Sequence, residues 1–387
     1  MVKAIKVMLI PNNVQETKMF EYAGASRFAY NWALAREKEN YEKGGRFISD
    51  SELRKEFTKL RHSDEYAWLL NISNNVTKQA IKDACIAYKN FFKGLQKFPR
   101  FKSRKRSMPK FYQDNVKIQF SNTHVKLEGF SSSRKANKQK LNWVRLVEHG
   151  RISTDAKYMN PRISFDGLNW WISVCVEFPD CKEILNDDGV GIDLGIKDLA
   201  VCSDAVKYKN INKSQKVKKL EKQKRRLQRS ISRSYEKNKK GESYCKTNNV
   251  IKKEKLLLKR NHRLTNIRKN YLNQTISEIV NRKPRFICIE DLNVSGMMKN
   301  RHLSKAVQEQ GFFLFRKQLE YKCSDKGIQL IVADRFYPSS KLCSCCGKIK
   351  EDLKLSDRIY RCECGNMIDR DFQASINLKA YGERFAS

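Results

Sequence analysis

Two pairs of closely spaced cysteines near the C-terminus constrain the fold of this chain more than any other feature. Cys343 and Cys346 form one pair, Cys362 and Cys364 form the other, and a glycine follows each pair. Glycine suits a backbone turn around a metal ion. Two such pairs are typical of a tetrahedral Zn²⁺ site of the ribbon type, and four thiolates leave no open position for water. The sequence therefore predicts a structural zinc ribbon.

The spacing leaves the zinc ligands open. One residue separates Cys362 from Cys364, where a standard pair has two, and Cys345 is an additional thiol that could compete for the metal. The remaining cysteines stand singly, which is not a disulfide framework in a chain of 387 residues. We therefore expect a reducing compartment.

The charge of the chain points to a class of partner. There are 79 Lys and Arg residues against 42 Asp and Glu residues, a formal net charge of +37. Such a surface repels itself unless it neutralises a polyanion, and we expect that polyanion to be nucleic acid. No uncharged stretch approaches the ~18 apolar residues of a membrane span, and the N-terminal run contains two lysines. We therefore expect neither a secreted nor a membrane protein.

Hydrophobic spacing predicts a multi-domain fold with helical, all-β and α/β parts. Apolar residues recur every three or four positions over residues 15–93, which predicts helices. The period changes to two over residues 110–178, which predicts antiparallel strands that form a small barrel with the N-terminal strand. Beyond residue 186, short apolar strands alternate with helices.

A Lys- and Arg-rich segment at about residues 211–280 is predicted to form two helices with a thin apolar seam. Leu220 lies on the first helix, and Leu256 and Leu264 are expected to face it from the second. A solvated helical hairpin is one interpretation of this composition. The seam together with the density of cations favours a surface that faces phosphates.

Carboxylates at the ends of predicted strands are candidate metal ligands. Asp193 and Glu290 each stand where an apolar strand ends, and Asp369 and Asp371 stand where a helix begins. A buried carboxylate is costly unless it is paired or binds a cation. Converging carboxylates suit Mg²⁺ or Mn²⁺, and in a protein that binds a polyanion we expect two-metal phosphodiester hydrolysis. Taken singly, such acids also cap helices or bind arginine.

Five motifs taken together resemble the TnpB (OrfB) family of insertion-sequence proteins, which are related to the type V CRISPR effectors. The likeness extends over nearly the whole chain. The motifs are GIDLG at 191–195, IEDLNV at 289–294, YPSSKLCSCCG at 337–347, CECG at 362–365 and DRDFQASIN at 369–377.

This resemblance implies a RuvC-like nuclease domain of the RNase H fold with an inserted zinc ribbon. It also implies an N-terminal wedge-like β-barrel with an inserted helical recognition domain. The expected division is a barrel at 1–14 and 110–185, a recognition domain at 15–109, a nuclease domain at 186–335 and 368–387, and a ribbon at 336–367.

The resemblance also assigns roles to the candidate residues. Asp193, Glu290 and Asp371 match the three catalytic acids and the expected Mg²⁺ (or Mn²⁺) ligands, while the four paired cysteines match the Zn²⁺ ligands. Asp371 is preferred to Asp369 because it begins the Asp-x-x-Ala-Ser run. The family usually has asparagine where this chain has Gln373.

The implied activity is that of an RNA-guided DNA endonuclease encoded by a transposable element. A guide RNA from the transposon end pairs with target DNA, and the protein recognises a short target-adjacent motif. We expect a monomer in the cytoplasm of a prokaryotic cell, associated with the nucleoid. The candidate nucleic-acid-binding residues are Tyr30, Trp32, Arg100, Phe101, Lys102, Arg104, Lys224, Arg225, Arg226 and Arg229. For Tyr30 and Trp32 a place in the core stays open, because aromatic residues at helical spacing often pack inside.

Three other functions compete with this one. An RNA-guided DNA-binding regulator that does not cut is disfavoured by the three acids. A DNA strand transferase is disfavoured because the five histidines make no metal-coordinating pair. A compact type V CRISPR effector has the same chemistry and takes its guide from an array.

Overall fold

The computed structural model describes residues 2–130, 141–179, 183–354 and 356–386. The parts of the predicted barrel at 131–140 and 180–182, residue 355 of the predicted ribbon and both terminal residues lie outside these ranges. The chain divides into two compact units, Met1–Pro179 and Asp180–Ser387. Among the helices of the described residues, none is both long and apolar enough to span a bilayer.

The first unit combines a helical block with one antiparallel sheet. Its first helix begins at a capping box, in which Asn12 and Gln15 exchange side-chain and backbone hydrogen bonds. The Gln15 side chain also donates to the carbonyls of Leu141 and Trp143, each at 2.9 Å, which fixes the helix to the sheet. The elements are β1 (Val2–Ile10), α1 (Asn13–Glu42), α2 (Asp50–Arg61), a 3₁₀ helix (Asp64–Asn71), α3 (Asn74–Phe92), β2 (Lys110–Tyr112), β3 (Gln119–Phe120), β4 (His124–Lys126), β5 (Trp143–Leu146), β6 (Tyr158–Phe165) and β7 (Trp170–Glu177).

The sheet of the first unit has seven strands in the order β2-β6-β7-β1-β5-β4-β3. β1 pairs with β7 over eight residues, from Val2 opposite Glu177 to Leu9 opposite Trp170. Alternate residues of β7 are buried, as expected of a strand with one face on the core. No ladder joins β2 to β3 in the part of the chain that the structure describes. Strand formation is thus confirmed, while closure of the barrel stays a prediction.

Glu37 is a buried acid in the helical block and makes the stability of this unit depend on pH. It is 1% exposed and accepts a hydrogen bond from the Ile48 amide at 3.3 Å. Burial raises the pKa of this carboxyl to about 7, against the opposing effects of the Ile48 amide and Lys89. The pKa of Glu37 is therefore higher in the folded protein than in the unfolded chain. The contribution of the protonated Glu37 to stability is fully present below the unfolded-state pKa and is lost as the pH rises through about 7.

We expect Glu37→Gln to stabilise the first unit at pH 8 by about 2 kcal/mol and to have little effect at pH 4. The amide keeps an acceptor for Ile48 but never ionises. Thermal unfolding between pH 4 and 8 measures the effect. Glu39→Gln is the matched control, since Glu39 lies on the same helix with an exposed side chain. Parallel pH profiles for Glu37→Gln and the wild type would contradict this account.

The second unit is built on a mixed sheet of five strands in the order β10-β9-β8-β13-β14. β8 and β14 flank β13 in parallel, while β9 runs antiparallel to β8, so the predicted apolar hairpin is confirmed. The elements are β8 (Val190–Leu194), β9 (Asp198–Cys202), β10 (Lys207–Lys209), a 3₁₀ helix (Ile211–Lys213), α4 (Gln215–Lys237), β11 (Lys239–Lys240), β12 (Ser243–Tyr244), α5 (Asn248–Asn281), β13 (Phe286–Glu290), α6 (Val294–Lys299), α7 (Ser304–Gln310), α8 (Phe312–Lys326), β14 (Gln329–Ala333), β15 (Ile359–Arg361), β16 (Met367–Asp369) and α9 (Arg370–Phe385).

The basic segment forms the two predicted helices, α4 and α5. Val217 and Leu220 on α4 pack against Leu264 on α5, so the seam is confirmed at these positions. Leu256 is 43% exposed and lies outside the seam. The expectation for Leu256 was wrong, because a short seam can bury only the side chains that lie at the contact of the two helices.

Candidate functional site

Asp193, Glu290 and Asp371 line one cavity of about 570 Å³ in the second unit. Asp193 lies near the end of β8, Glu290 is the last residue of β13, and Asp371 lies in the first turn of α9. β8 and β13 are parallel neighbours, so their C-terminal ends meet at the same edge of the sheet. The predicted convergence of the three acids is therefore present in the structure.

The approach of α9 to β8 depends on Gly191. A Cβ atom added there would lie 2.1 Å from the Ser375 carbonyl oxygen and 2.3 Å from the Lys379 nitrogen, both backbone atoms of α9. Only glycine permits this contact. Gly191 stands two residues before Asp193, so the same contact brings α9, and with it Asp371, to the end of β8.

Burial and the neighbouring carboxylates disfavour the ionised forms of Asp193 and Glu290. The pKa of Asp193 is raised well above its ordinary value, first by burial and then by the carboxylates of Glu290 and Asp371. The pKa of Glu290 is also raised, chiefly by burial, although its hydrogen bond with Asp193 opposes the rise. A cation at this position would relieve the repulsion.

The Asp369 side chain makes its contacts with the first turn of α9 and with Lys207. Its Oδ1 accepts hydrogen bonds from the amides of Asp371 and Phe372, each at 3.1 Å, and its Oδ2 lies 3.3 Å from Lys207 Nζ. It is the N-cap of α9. This geometry supports Asp371 as the acid of the cavity.

The residues around the cavity fit hard divalent cations. The candidate donors are carboxylate oxygens, which Mg²⁺ and Mn²⁺ prefer. Asp371 lies 3.4 Å from an Arg370 nitrogen, so its carboxylate is paired with a cation of the chain. Among the described residues, the cysteines are the one compact group of three or more candidate ligands, and the three acids are arranged more openly.

Cationic side chains line the same cavity, and sequence reasoning missed them. They are Lys197, Lys213, Arg358 and Arg370. Cations beside a carboxylate cluster suit a phosphodiester, whose charge they can neutralise. Arg370 stands between two acids in the sequence, which is the one signal that could have indicated it.

The structure brings the four paired cysteines together. The Sγ atoms of Cys343, Cys346, Cys362 and Cys364 all lie within 4.8 Å of one another. Cys345 is exposed and does not belong to the group, which favours the four paired cysteines as the ligand set. Four gathered thiols are the donor set of a structural zinc site.

The surroundings of Cys343 favour the thiolate form of its side chain. Burial raises the pKa of Cys343, but the amides of Cys346 and Cys345 and the Asn366 side chain lower it, to about 6 overall. The Asn366 Nδ2 lies 3.5 Å from Cys343 Sγ. A thiolate is the form that binds metal.

The cysteine centre is hydrogen-bonded to the helix that carries Asp371. Gln373 is fully buried on α9 and donates to the Leu342 carbonyl at 2.6 Å, while its oxygen accepts from Ser344 at 2.9 Å. Asn377, one turn further on, donates to the carbonyls of Ser339 and Leu342, each at 2.7 Å. Gln373 thus joins the predicted ribbon to the helix that carries Asp371.

The basic face of α4 presents an open groove of about 380 Å³. Arg225, Arg229 and Arg233 line it at intervals of four residues, which places them on one face of the helix. Arg226 is exposed beside them. Lys224 instead lies 3.7 Å from Glu221, so its charge is partly neutralised within the helix.

The candidates of the first unit separate into packed and exposed residues. Tyr30 is 7% exposed, and Trp32 packs edge-on against Phe57 at a centroid distance of 5.1 Å. The buried Tyr30 ring thus takes the place in the core that its helical spacing left open. Trp32 is half-buried, and its contact with nucleic acid stays a prediction. Lys102 Nζ lies 3.0 Å from the Tyr30 ring centroid. Burial lowers the pKa of Lys102 to about 7, and the positive charge of Lys110 adds to this effect. The exposed candidates are Arg100, Phe101 and Arg104.

Three family models match the chain. One described as "Probable transposase" matches residues 173–301, and one described as "Cas12f1-like, TNB domain" matches residues 312–378, which contain the cysteine centre. A third, described as "Helix-turn-helix domain", matches residues 1–46. In this chain that segment holds the strand β1 and the single long helix α1.

Two bacterial proteins and one solved structure are similar to the chain over nearly its full length. InsQ of Escherichia coli (strain K12), named as an RNA-guided DNA endonuclease, is 30% identical over 98% of this chain and 92% of its own. A Streptomyces pristinaespiralis protein of the same description is 29% identical over 98% of this chain and 89% of its own. The cryo-EM structure of a Cas12f1–sgRNA–target DNA complex is similar with a TM-score of 0.55, at 13% identity and 98% coverage of both chains. The last likeness concerns the fold.

Proposed function

The chain belongs to the TnpB (OrfB) family of transposon-encoded proteins, and from this premise we propose that it is an RNA-guided DNA endonuclease. The observation that carries the proposal is the convergence of Asp193, Glu290 and Asp371 on one cavity with cations on its wall. A regulator that only binds DNA has no use for three half-buried acids at such a site.

We propose that Asp193, Glu290 and Asp371 hold Mg²⁺. Bound Mg²⁺ lowers the pKa of a water molecule and stabilises the leaving oxygen of a phosphodiester. The water oxygen bonds to phosphorus, one P–O bond breaks, and the proton passes to the leaving oxygen. Arg370 and Lys213 are placed to neutralise the phosphate.

The same proposal specifies a guide RNA and a target DNA as the partners of the protein. A guide RNA from the transposon end pairs with the target strand, and the protein recognises the duplex by its shape and backbone together with a short adjacent motif. The zinc ribbon serves as the target nucleic-acid-binding part of the nuclease. Arg100, Phe101 and Arg104 supply exposed contacts in the first unit, and the arginines of α4 supply contacts in the second.

We expect replacement of Arg225, Arg229 and Arg233 by glutamine to lower the salt dependence of nucleic-acid binding. Each phosphate contact contributes about 0.7–0.9 to the slope of log K against log salt, so the slope should fall by about 2–3. Binding titrations of the guide RNA over a series of salt concentrations measure it. Lys224→Gln is the matched control, because Lys224 is paired with Glu221. An unchanged slope in the triple variant would exclude this face from phosphate binding.

Purification from cells that carry the flanking DNA tests the whole proposal. The RNA that accompanies the protein is sequenced, and the complex is incubated with a plasmid library of randomised flanks in Mg²⁺. One dominant RNA across the element boundary, with cuts beside a fixed motif, supports the proposal. A guide transcribed from an array would instead indicate a compact type V CRISPR effector. Binding of RNA and DNA without cleavage would favour the regulator.

A further inference from the structure

A second cavity, of about 230 Å³, adjoins the one that holds the three acids. The two share Leu194, Glu290 and Phe312 as wall residues. A nucleotide next to a phosphate at the acids is therefore within reach of the second cavity. Nothing in the chemistry of hydrolysis itself requires this cavity.

The lining of the second cavity combines apolar and cationic groups. Ile289, Leu292, Val294 and Phe312 supply apolar surface, and Phe313 adds an aromatic ring at the mouth. Phe313 is 65% exposed. Apolar walls with a few convergent polar groups are typical of sites for small ring systems.

Two guanidinium groups at this cavity are held in place. Arg316 Nη1 lies 2.8 Å and Arg335 Nη2 lies 2.5 Å from the two carboxylate oxygens of Asp291. Arg316 is also held by Glu320 at 3.1 Å. The carboxylates of Asp291 and Glu320 hold the two guanidinium groups in fixed positions. A guanidinium has five N–H donors, which suits contact with the phosphates on either side of a base.

We propose that this cavity receives the nucleobase next to the scissile phosphate, which stacks on the Phe313 ring. The inference rests on the proposed nuclease function and adds to it a position for one base of the cleaved strand. A base that enters a side cavity cannot be paired or stacked in a duplex. Stacking on an aromatic ring is tolerant of sequence, so the cavity positions the strand and leaves sequence choice to the guide.

Cleavage by the guided complex of targets with single abasic positions tests the proposal. In the wild type, an abasic site at one position beside the cut should slow cleavage about tenfold, in line with one stacked base. Phe313→Ala should slow cleavage of the intact target by about the same factor. The variant should cleave the abasic target no more slowly than it cleaves the intact one, because both changes remove the same stacking interaction. Phe313→Trp should keep the wild-type pattern.

Tyr321→Ala is the matched control. Tyr321 lies two turns further along α8, is 45% exposed and does not line the cavity. Tyr321→Ala should cleave the intact and the abasic targets at the same rates as the wild type. An abasic series with no position-dependent effect, in a complex that cuts, would overturn the cavity assignment and leave the nuclease proposal intact. A complex that never cuts counts against the nuclease proposal itself.

A binding measurement separates stacking from a general loss of activity. In Asp371→Asn, which should bind without cutting, 2-aminopurine beside the scissile phosphate should be quenched by stacking on Phe313. Adding Phe313→Ala should restore most of the fluorescence without changing RNA binding. Equal fluorescence with and without the Phe313 ring would overturn the proposal even if Phe313→Ala slows cleavage.

Discussion

Replacing Asp371 with asparagine is expected to slow DNA cleavage by at least about 10³-fold, or about 4 kcal/mol of transition-state stabilisation. The substitution keeps the size of the side chain and removes the charge that a divalent cation needs. Guide-RNA binding should stay unchanged, because Asp371 lines the cavity between β8, β13 and α9 and not the basic face of α4. Single-turnover cleavage and RNA-binding titrations measure the two effects.

Asp369→Asn is the matched control for this experiment. Asp369 stands two residues away, caps α9 and pairs with Lys207. Asparagine is an equally good N-cap, so cleavage should change by no more than a few-fold. If Asp369→Asn abolished cleavage and Asp371→Asn did not, the two acids would have been assigned the wrong way round.

Replacing Cys362 with serine is expected to abolish zinc binding and to unfold the ribbon. Structural Zn²⁺ sites contribute about 10–16 kcal/mol of apparent binding free energy in small peptides, and this is also folding free energy. Serine leaves three thiolates and an open coordination position. Zinc content of the purified protein and hydrogen exchange over residues 336–367 measure the loss.

Loss of the ribbon should also reduce cleavage. Gln373 and Asn377 bind ribbon carbonyls from the helix that carries Asp371, so those hydrogen bonds would be lost with the ribbon. Cys345→Ser is the matched control, since Cys345 is an exposed thiol beside the centre and is not one of its members. A zinc content that fell in Cys345→Ser and persisted in Cys362→Ser would contradict the ligand set.

The sequence was informative about local structure for a physical reason. Helices and strands follow the spacing of apolar residues along the chain, which is why residues 15–93 and the hairpin of β8 and β9 were predicted correctly. Within residues 110–178 the signal is uneven, because Asn160 and Pro161 interrupt the alternation of β6. Its partner β7 alternates strictly.

The nature of the candidate sites was also determined by the sequence. Paired cysteines with following glycines have few uses other than binding metal, and acids at the ends of apolar strands are costly unless a cation is near. Residue type and spacing were therefore sufficient to name the paired cysteines as candidate metal ligands, with Cys345 left as a competitor. Asp193 and Glu290 could be named as candidates in the same way.

The tertiary structure decided which of the neighbouring candidates is used. Asp369 and Asp371 are chemically equal, and only the cap of α9 and the contact with Lys207 show that Asp369 is engaged elsewhere. Cys345 and Cys346 are likewise the same residue type at adjacent positions, and they differ in where their sulfur atoms lie. The burial of Tyr30, the approach of α9 at Gly191 and the cavity beside Phe313 depend on contacts between residues far apart in the chain. Residue type and spacing determine what a side chain can do, whereas long-range packing decides which side chains meet.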